Sequence, residues 1–344
     1  MSNMLSLIIT ICGVIIALVG IFETWVAVLY PRAFNGPVTS AIYRSYHYIS
    51  QRILGPESTL LLFSGPVLIV IQVAAWASLL LLGVSLVVWP QLGTSIVSVT
   101  DVTDQRFGTA VYYAGYCITT LGTGDLVPKT TFAQMVTTTA AVVGFSFFTL
   151  VLAYVISVYS ALERRNQFAS EIDYRMGRTG DTLAYLKGYL ATNDGSLLKQ
   201  DMFTLASGLA DLLESHHFYP ALHYFRFREK RYSMSRILRF CLEVSSAFRS
   251  LNESASKKEN PEPADRLWHS SLQTLEDTME HFVICRVPGN QEDITIALRI
   301  AEHLKSCNTG ARFDEEVFVA AYQNDCKQWF ADLESLAHCT MTDN

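Results

Sequence analysis

The sequence predicts an all-α membrane protein: three transmembrane helices with a short re-entrant helix between the second and third, then an α-helical soluble domain. Three observations predict it. Residues 1–160 hold five bases (Arg32, Arg44, Arg52, Arg106, Lys129) and five acids (Glu23, Glu57, Asp101, Asp104, Asp125). Taking those from the totals of 26 and 32 leaves 21 bases and 27 acids for residues 161–344, so the back half carries the whole net charge of −6. Within the front half lie three apolar stretches long enough to cross a bilayer, which takes about 20 residues. The back half repeats apolar residues at helical spacing and shows little strand-like alternation.

The first span runs from Leu5 to Tyr30, interrupted only by Glu23. It lacks a basic leader and is too long for a secretory signal, so it reads as a retained anchor. Glu23 stands near the end of that span, where its carboxylate is expected to reach the interface. The second span, Thr59–Trp89, sits in a charge-free run from 58 to 100, and the third, Thr131–Leu162, is also uncharged. Soluble core helices seldom stay uncharged for so long. Arginines dominate residues 31–58 and return after the third span at Arg164, Arg165, Arg175 and Arg178, whereas Asp101 and Asp104 mark the loop after the second. The bias of short-loop bases toward the cytoplasm puts the N-terminus outside and the C-terminal domain inside a multi-pass cell-membrane protein. Asp101 and Asp104 read as solvated loop acids.

Between spans two and three, FGTAVYYAGYCI (107–118) is apolar but too short to cross, and CITTLGTGDLVP (117–128) follows at once. Glycine admits left-handed backbone. Irregular backbone at membrane depth is tolerated only where protein buries it or it lines a watery path. A file of carbonyls facing a common axis meets that condition when a cation fills the axis, because the carbonyls replace its water. One strand cannot enclose an ion, so several copies of the chain are implied.

At these residues the chain resembles the potassium channel superfamily. YYAGYCITTLGTGD is similar to that family's pore helix with paired aromatics followed by Thr-Thr-x-Gly-Tyr-Gly-Asp. The resemblance implies pore-helix support from Tyr112 and Tyr113 and a selectivity filter over Thr119, Thr120, Leu121, Gly122, Thr123, Gly124 and Asp125. In it the Thr120 hydroxyl would line the innermost ion site and Asp125 would stand at the outer mouth. It implies a homotetramer and a gating hinge at Gly144, whose alternative reading is a close helix–helix contact. Coverage is residues 58–160. Two positions depart. Thr123 stands where the family has a bracing tyrosine, so the brace must come from Tyr113 or Tyr116 or be weaker, and potassium preference over sodium weakens with it. Tyr116 stands where some members carry a carboxylate that holds the mouth aspartate; its phenol is the available substitute.

The domains predicted are 1–57 (first span and cytoplasmic loop), 58–162 (pore module) and 163–344 (helical domain). Helices are expected over 168–190, 201–214, 234–251, 264–285, 291–307 and 314–338, with an exposed linker at 252–263. No phosphate-binding loop or dinucleotide fingerprint occurs. His216, His217 and His223 with Glu214 could ligate a metal, but the spacing matches no zinc pattern, and a packed aromatic cluster is expected. Arg226, Arg228, Lys230 and Arg231 read as a solvated helix face, with anionic lipid as the alternative partner. Seven scattered cysteines without Cys-x-x-Cys spacing support neither a disulfide framework nor a zinc site.

These readings converge on a cation channel, potassium first, through a homotetrameric pore gated by the cytoplasmic domain. No enzyme, metal, cofactor beyond permeant potassium ions, or nucleic-acid partner is expected; lipid and monovalent cations are. The alternatives are a non-selective monovalent cation channel and a non-conducting sensor or scaffold that keeps the pore module for assembly. A membrane-tethered enzyme around the three histidines is the remaining rival.

Overall fold

The computed structural model describes residues 3–30, 36–52, 62–190, 196–255, 260–282, 294–306 and 314–340. It is an all-α membrane protein but, among the described residues, for one pair of three-residue strands. The chain forms two compact units, one of residues 1–53 and 65–159, the other of 54–64 and 160–344.

In the first unit, α1 (Asn3–Leu29), α3 (Ser64–Val88) and α5 (Thr131–Arg175) are the helices long and apolar enough to span a bilayer. α1 and α3 approach through small residues. A Cβ on Gly13 would stand 2.7 Å from the Gly83 carbonyl oxygen, and one on Gly83 would stand 2.5 Å from the Ala17 nitrogen. Membrane helices gain little from burying apolar surface against each other, so close backbone packing is what holds them.

Residues 37–52, expected within a loop, form a helix, α2 (Pro37–Arg52). Its N-terminal donors are satisfied from a distance. Glu23 is fully buried in the fold and accepts hydrogen bonds from the amides of Val38 (2.7 Å) and Thr39 (3.2 Å) and the Thr39 hydroxyl (2.8 Å). A helix N-terminus carries orphan donors and partial positive charge, which a carboxylate answers. The Trp76 indole of α3 donates to the same Thr39 hydroxyl at 3.3 Å, joining three helices at one polar knot. Glu23→Ala should cost about 2–3 kcal/mol, because buried donors then go unpaired. Glu23→Gln, which keeps one acceptor oxygen, should cost less. Thermal unfolding of the full chain in detergent reads both.

After α3 come strand β1 (Ile96–Ser98), the short helix α4 (Phe107–Ile118) and strand β2 (Leu126–Pro128), before α5 begins. β1 and β2 pair antiparallel, Val97 opposite Val127. They tie both ends of the α4 segment together around a core of Tyr113, Tyr116, Cys117, Leu126 and Ala133.

In the second unit, the helix expected over 168–190 is broken. α5 ends at Arg175, and α6 (Thr182–Leu190) starts after a turn in which Gly177, Arg178 and Gly180 take positive φ. Two glycines three residues apart admit that reversal. α7 (Ser196–Phe218), α8 (Met234–Ser254), α9 (Glu262–Phe282), α10 (Thr295–Ser306) and α11 (Glu315–Thr340) follow the expected order. They enclose one core with Phe240, Trp268, Phe318, Tyr322 and Trp329 at its heart.

Asp325 of α11 is buried in that unit, 3.7 Å from the Arg249 guanidinium, which also pairs with Asp265 and stacks on Trp268. Burial raises its pKa to about 6; Arg249 opposes this, and Glu253 and Asp265 add to it. An unfolded aspartate titrates near 3.9. The folded state therefore holds a proton the unfolded chain releases, and stability from this group is full below pH 4 and lost between about pH 4 and 6. Asp325→Asn should raise the melting temperature at pH 7.5 by about 2–5 °C and make no difference near pH 4. Calorimetry of both proteins across that range checks it.

Candidate functional site

The segment from Thr119 to Asp125 leaves α4 without helix or strand structure. Thr120 has φ +56°, Gly122 +61° and Gly124 +77°, while Leu121 and Thr123 stay outside the left-handed region. In an extended strand successive carbonyls point to opposite sides. Left-handed φ at every second residue turns alternate peptide planes over and brings successive carbonyls to one side. For a glycine this is easy; for a β-branched threonine it is an outlier that the surroundings must hold in place. Two hydrogen bonds hold it: the Thr120 amide donates to the Cys117 carbonyl (3.1 Å) and the Leu121 amide to the Tyr116 carbonyl (2.9 Å). The Thr119 hydroxyl donates to Gly115 at 2.9 Å.

Donors in this stretch turn back into α4, but the acceptors do not. Among the described residues, no hydrogen bond reaches the carbonyls of Thr119 through Gly124. All seven residues are exposed, and a Cβ on Gly122 or Gly124 would meet nothing within 4 Å. The result is a row of unclaimed carbonyl dipoles on an open face, which is chemistry suited to coordinating a cation.

The tyrosines of α4 divide their contacts differently from the sequence expectation. Tyr112 reaches the filter-like strand: its hydroxyl donates to Thr123 at 3.2 Å, and Thr123 donates to the Asp125 carboxylate at 2.6 Å. That last bond holds the Asp125 carboxyl below the usual carboxylate range. Tyr116 does not touch Asp125. It is buried and donates to the Leu126 carbonyl at 2.6 Å, while edge-on contacts stack it against Tyr112 and Tyr113. Tyr113 turns the other way, to the Thr137 hydroxyl of α5 at 2.6 Å. The three phenols thus tie α4 to the filter-like strand, to its exit and to α5.

Gly144 packs against the base of this segment. A Cβ there would sit 2.1 Å from the Ile118 carbonyl oxygen and 2.7 Å from its carbon. α5 runs through Gly144 without a break. The geometry is that of the close-contact alternative, with the end of α4 seated on α5.

Outside this segment, Asp101 is exposed, and Asp104 pairs with Arg106 at 2.8 Å at the entrance to α4. The histidine candidates do not converge. His216 is buried, donates through Nδ1 to Leu212 and stacks on His223 with ring centroids 4.3 Å apart; His217 turns to Asp277 at 3.1 Å, and Glu214 is exposed. Among the described residues no group of three His, Cys, Asp or Glu side chains could hold a metal. The basic run is not a helix face: residues 225–229 are irregular, Arg228 and Lys230 are exposed, and Arg226 and Arg231 are half-buried. Cys117, Cys241 and Cys326 are buried and Cys12 is exposed; Cys285 and Cys307 lie outside the described residues.

α3 and α5, each long and apolar enough to span a bilayer, flank a short helix and an open row of carbonyls. Residues 84–161, less than a quarter of the chain, match the family model described as "Ion channel". The chain is also 25% identical over 217 residues to the "Uncharacterized membrane protein YdjJ" of Bacillus subtilis (strain 168). That similarity covers 62% of this chain and spans 62% of the relative's length. No solved structure matches.

Proposed function

We propose that this chain is a cation-selective channel, with potassium as its principal ion, conducting through a homotetrameric pore. The observation that carries the reading is the alternation of left-handed backbone at Thr120, Gly122 and Gly124 beside carbonyls that accept no hydrogen bond among the described residues. A dehydrated cation demands such a row, and four rows around one axis replace its hydration shell. The carbonyls of Thr119 to Gly124 are the ion ligands, the Thr120 hydroxyl lines the innermost site, and Asp125 concentrates cations at the outer mouth. The arginine excess in residues 31–58 and after the third span supports an outside N-terminus and a cytoplasmic C-terminal domain. Because α5 continues past the apolar stretch to Arg175, the cytoplasmic domain is attached to the pore-lining helix itself, a direct route for gating.

The reading is tested by flux through purified protein in liposomes, with potassium or sodium as the sole permeant cation, beside Gly122→Asp. Potassium flux should exceed sodium flux and vanish in the variant, whose new side chain and charge intrude on the carbonyl row. Equal flux of both ions would favour a non-selective pore, and flux that survives Gly122→Asp would remove the filter assignment.

A further inference from the structure

The second unit buries an arginine whose charge no carboxylate among the described residues answers. Arg165, in α5 three residues beyond the end of its uncharged stretch at Leu162, is 6% exposed. Its Nη1 donates to the Leu222 carbonyl at 2.9 Å, and its Nη2 to the carbonyls of Phe225 and Tyr232, each at 3.3 Å. These bonds fold the turn between α7 and α8 around the guanidinium, but the acceptors are neutral. A guanidinium has five N–H donors. Nε has no partner, and among the described residues no acid pairs with Arg165. An uncompensated buried charge is strongly unfavourable, and an anion is its natural remedy.

There is room for one. Arg165 lines a cleft of about 70 Å³ with His216, His223, Arg226, Phe227 and Tyr232, and among the described residues its lining includes no acid. Since a water requires roughly 10–15 Å³ of such space, the cleft suits a group of about five heavy atoms. A phosphoryl group, one phosphorus and four oxygens, has that size; a carboxylate has three atoms and would leave the cleft part-filled. The Nδ1 of His216 donates to Leu212, so its neutral ring offers Nε2 as an acceptor suited to a phosphate hydroxyl. Burial and the neighbouring Arg165 charge lower the His216 pKa to about 3, which keeps the ring neutral at cellular pH.

We propose that this cleft binds a phosphate group, with Arg165 as its principal cation and Arg226 as the second. A soluble phosphate and the phosphomonoester head of an anionic lipid share that chemistry. Binding does not require conduction, so its failure would leave the pore reading intact.

The test uses full-length protein. In detergent, at constant ionic strength set with chloride, its melting temperature is followed as inorganic phosphate is added. In nanodiscs, it is compared with and without phosphatidic acid. A saturable rise with inorganic phosphate identifies a soluble ligand, and a rise with phosphatidic acid alone identifies the lipid head. Arg165→Gln should weaken the apparent affinity by about tenfold or more, the loss of charge-assisted hydrogen bonds. Because that variant also removes the anchor of the turn, His223→Glu provides a second arm. It keeps Arg165 and its carbonyl bonds, places a carboxylate in the cleft, and should abolish the ligand-dependent rise. No saturable rise in either setting, or an undiminished rise in His223→Glu, overturns the proposal.

Discussion

On the channel function proposed above, Gly144→Ala should abolish ion flux, whereas Gly115→Ala, within α4 itself, should leave it within about twofold. The added methyl at Gly144 would fall 2.1 Å from the Ile118 oxygen and 2.8 Å from the Ile118 Cα, all backbone atoms. Ordinary contact would require α4 and α5 to part by more than an ångström, and close-packed interiors do not give that cheaply. The displaced end of α4 is the origin of the amide–carbonyl bonds that hold Thr120 and Leu121 in their left-handed and adjoining conformations. The carbonyl row should therefore be lost along with the contact. At Gly115 the same methyl would meet only the Leu81 Cδ1 at 3.8 Å. Liposome flux and tetramer recovery from detergent, read for both variants, separate this account from a hinge. A hinge glycine replaced by alanine would leave the assembled pore intact and change only how often it opens.

The three long apolar helices, the short helix at residues 107–118 and most helices of the second unit were legible, because each is written in local signals: uninterrupted apolar length, apolar spacing and turn residues. What was not legible depends on partners distant in sequence. α2 starts at Pro37 with no capping residue of its own choosing; the cap comes from Glu23, fourteen positions earlier and on another helix. No local pattern announces such a cap. The partners of Glu23 were hidden for the same reason, since proximity to the end of a span says nothing about what lies beside it. The glycines at 177 and 180 are a local signal, yet the apolar periodicity of 168–190 runs across them and masks the break. At the candidate site, residue types and spacing located the segment. Which tyrosine meets which partner is set by the rotation of α4 about its axis, and that is fixed by packing against Val88, Leu126 and Ala133.

That rotation makes the outer half of the 119–125 segment depend on two hydroxyls; on the channel function proposed above, removing either should lower potassium preference over sodium. Tyr112→Phe deletes one oxygen and keeps the ring contact with Tyr116 at 5.5 Å. Thr123→Val keeps the side-chain shape and deletes both the acceptor for Tyr112 and the donor to Asp125. A hydrogen bond in such a place is worth about 1 kcal/mol, more when one partner is charged, so the permeability ratio should fall about five- to tenfold. Thr123→Val should have the larger effect, because it severs the charge-assisted bond of 2.6 Å as well. The double variant is the sharper measurement. If Tyr112 acts through Thr123, the Tyr112→Phe change should add almost nothing once Thr123 is valine, a coupling equal to the whole of its single effect. Additive effects would mean that the two hydroxyls act separately, and unchanged ratios in both single variants would mean that the row of carbonyls keeps its spacing without them.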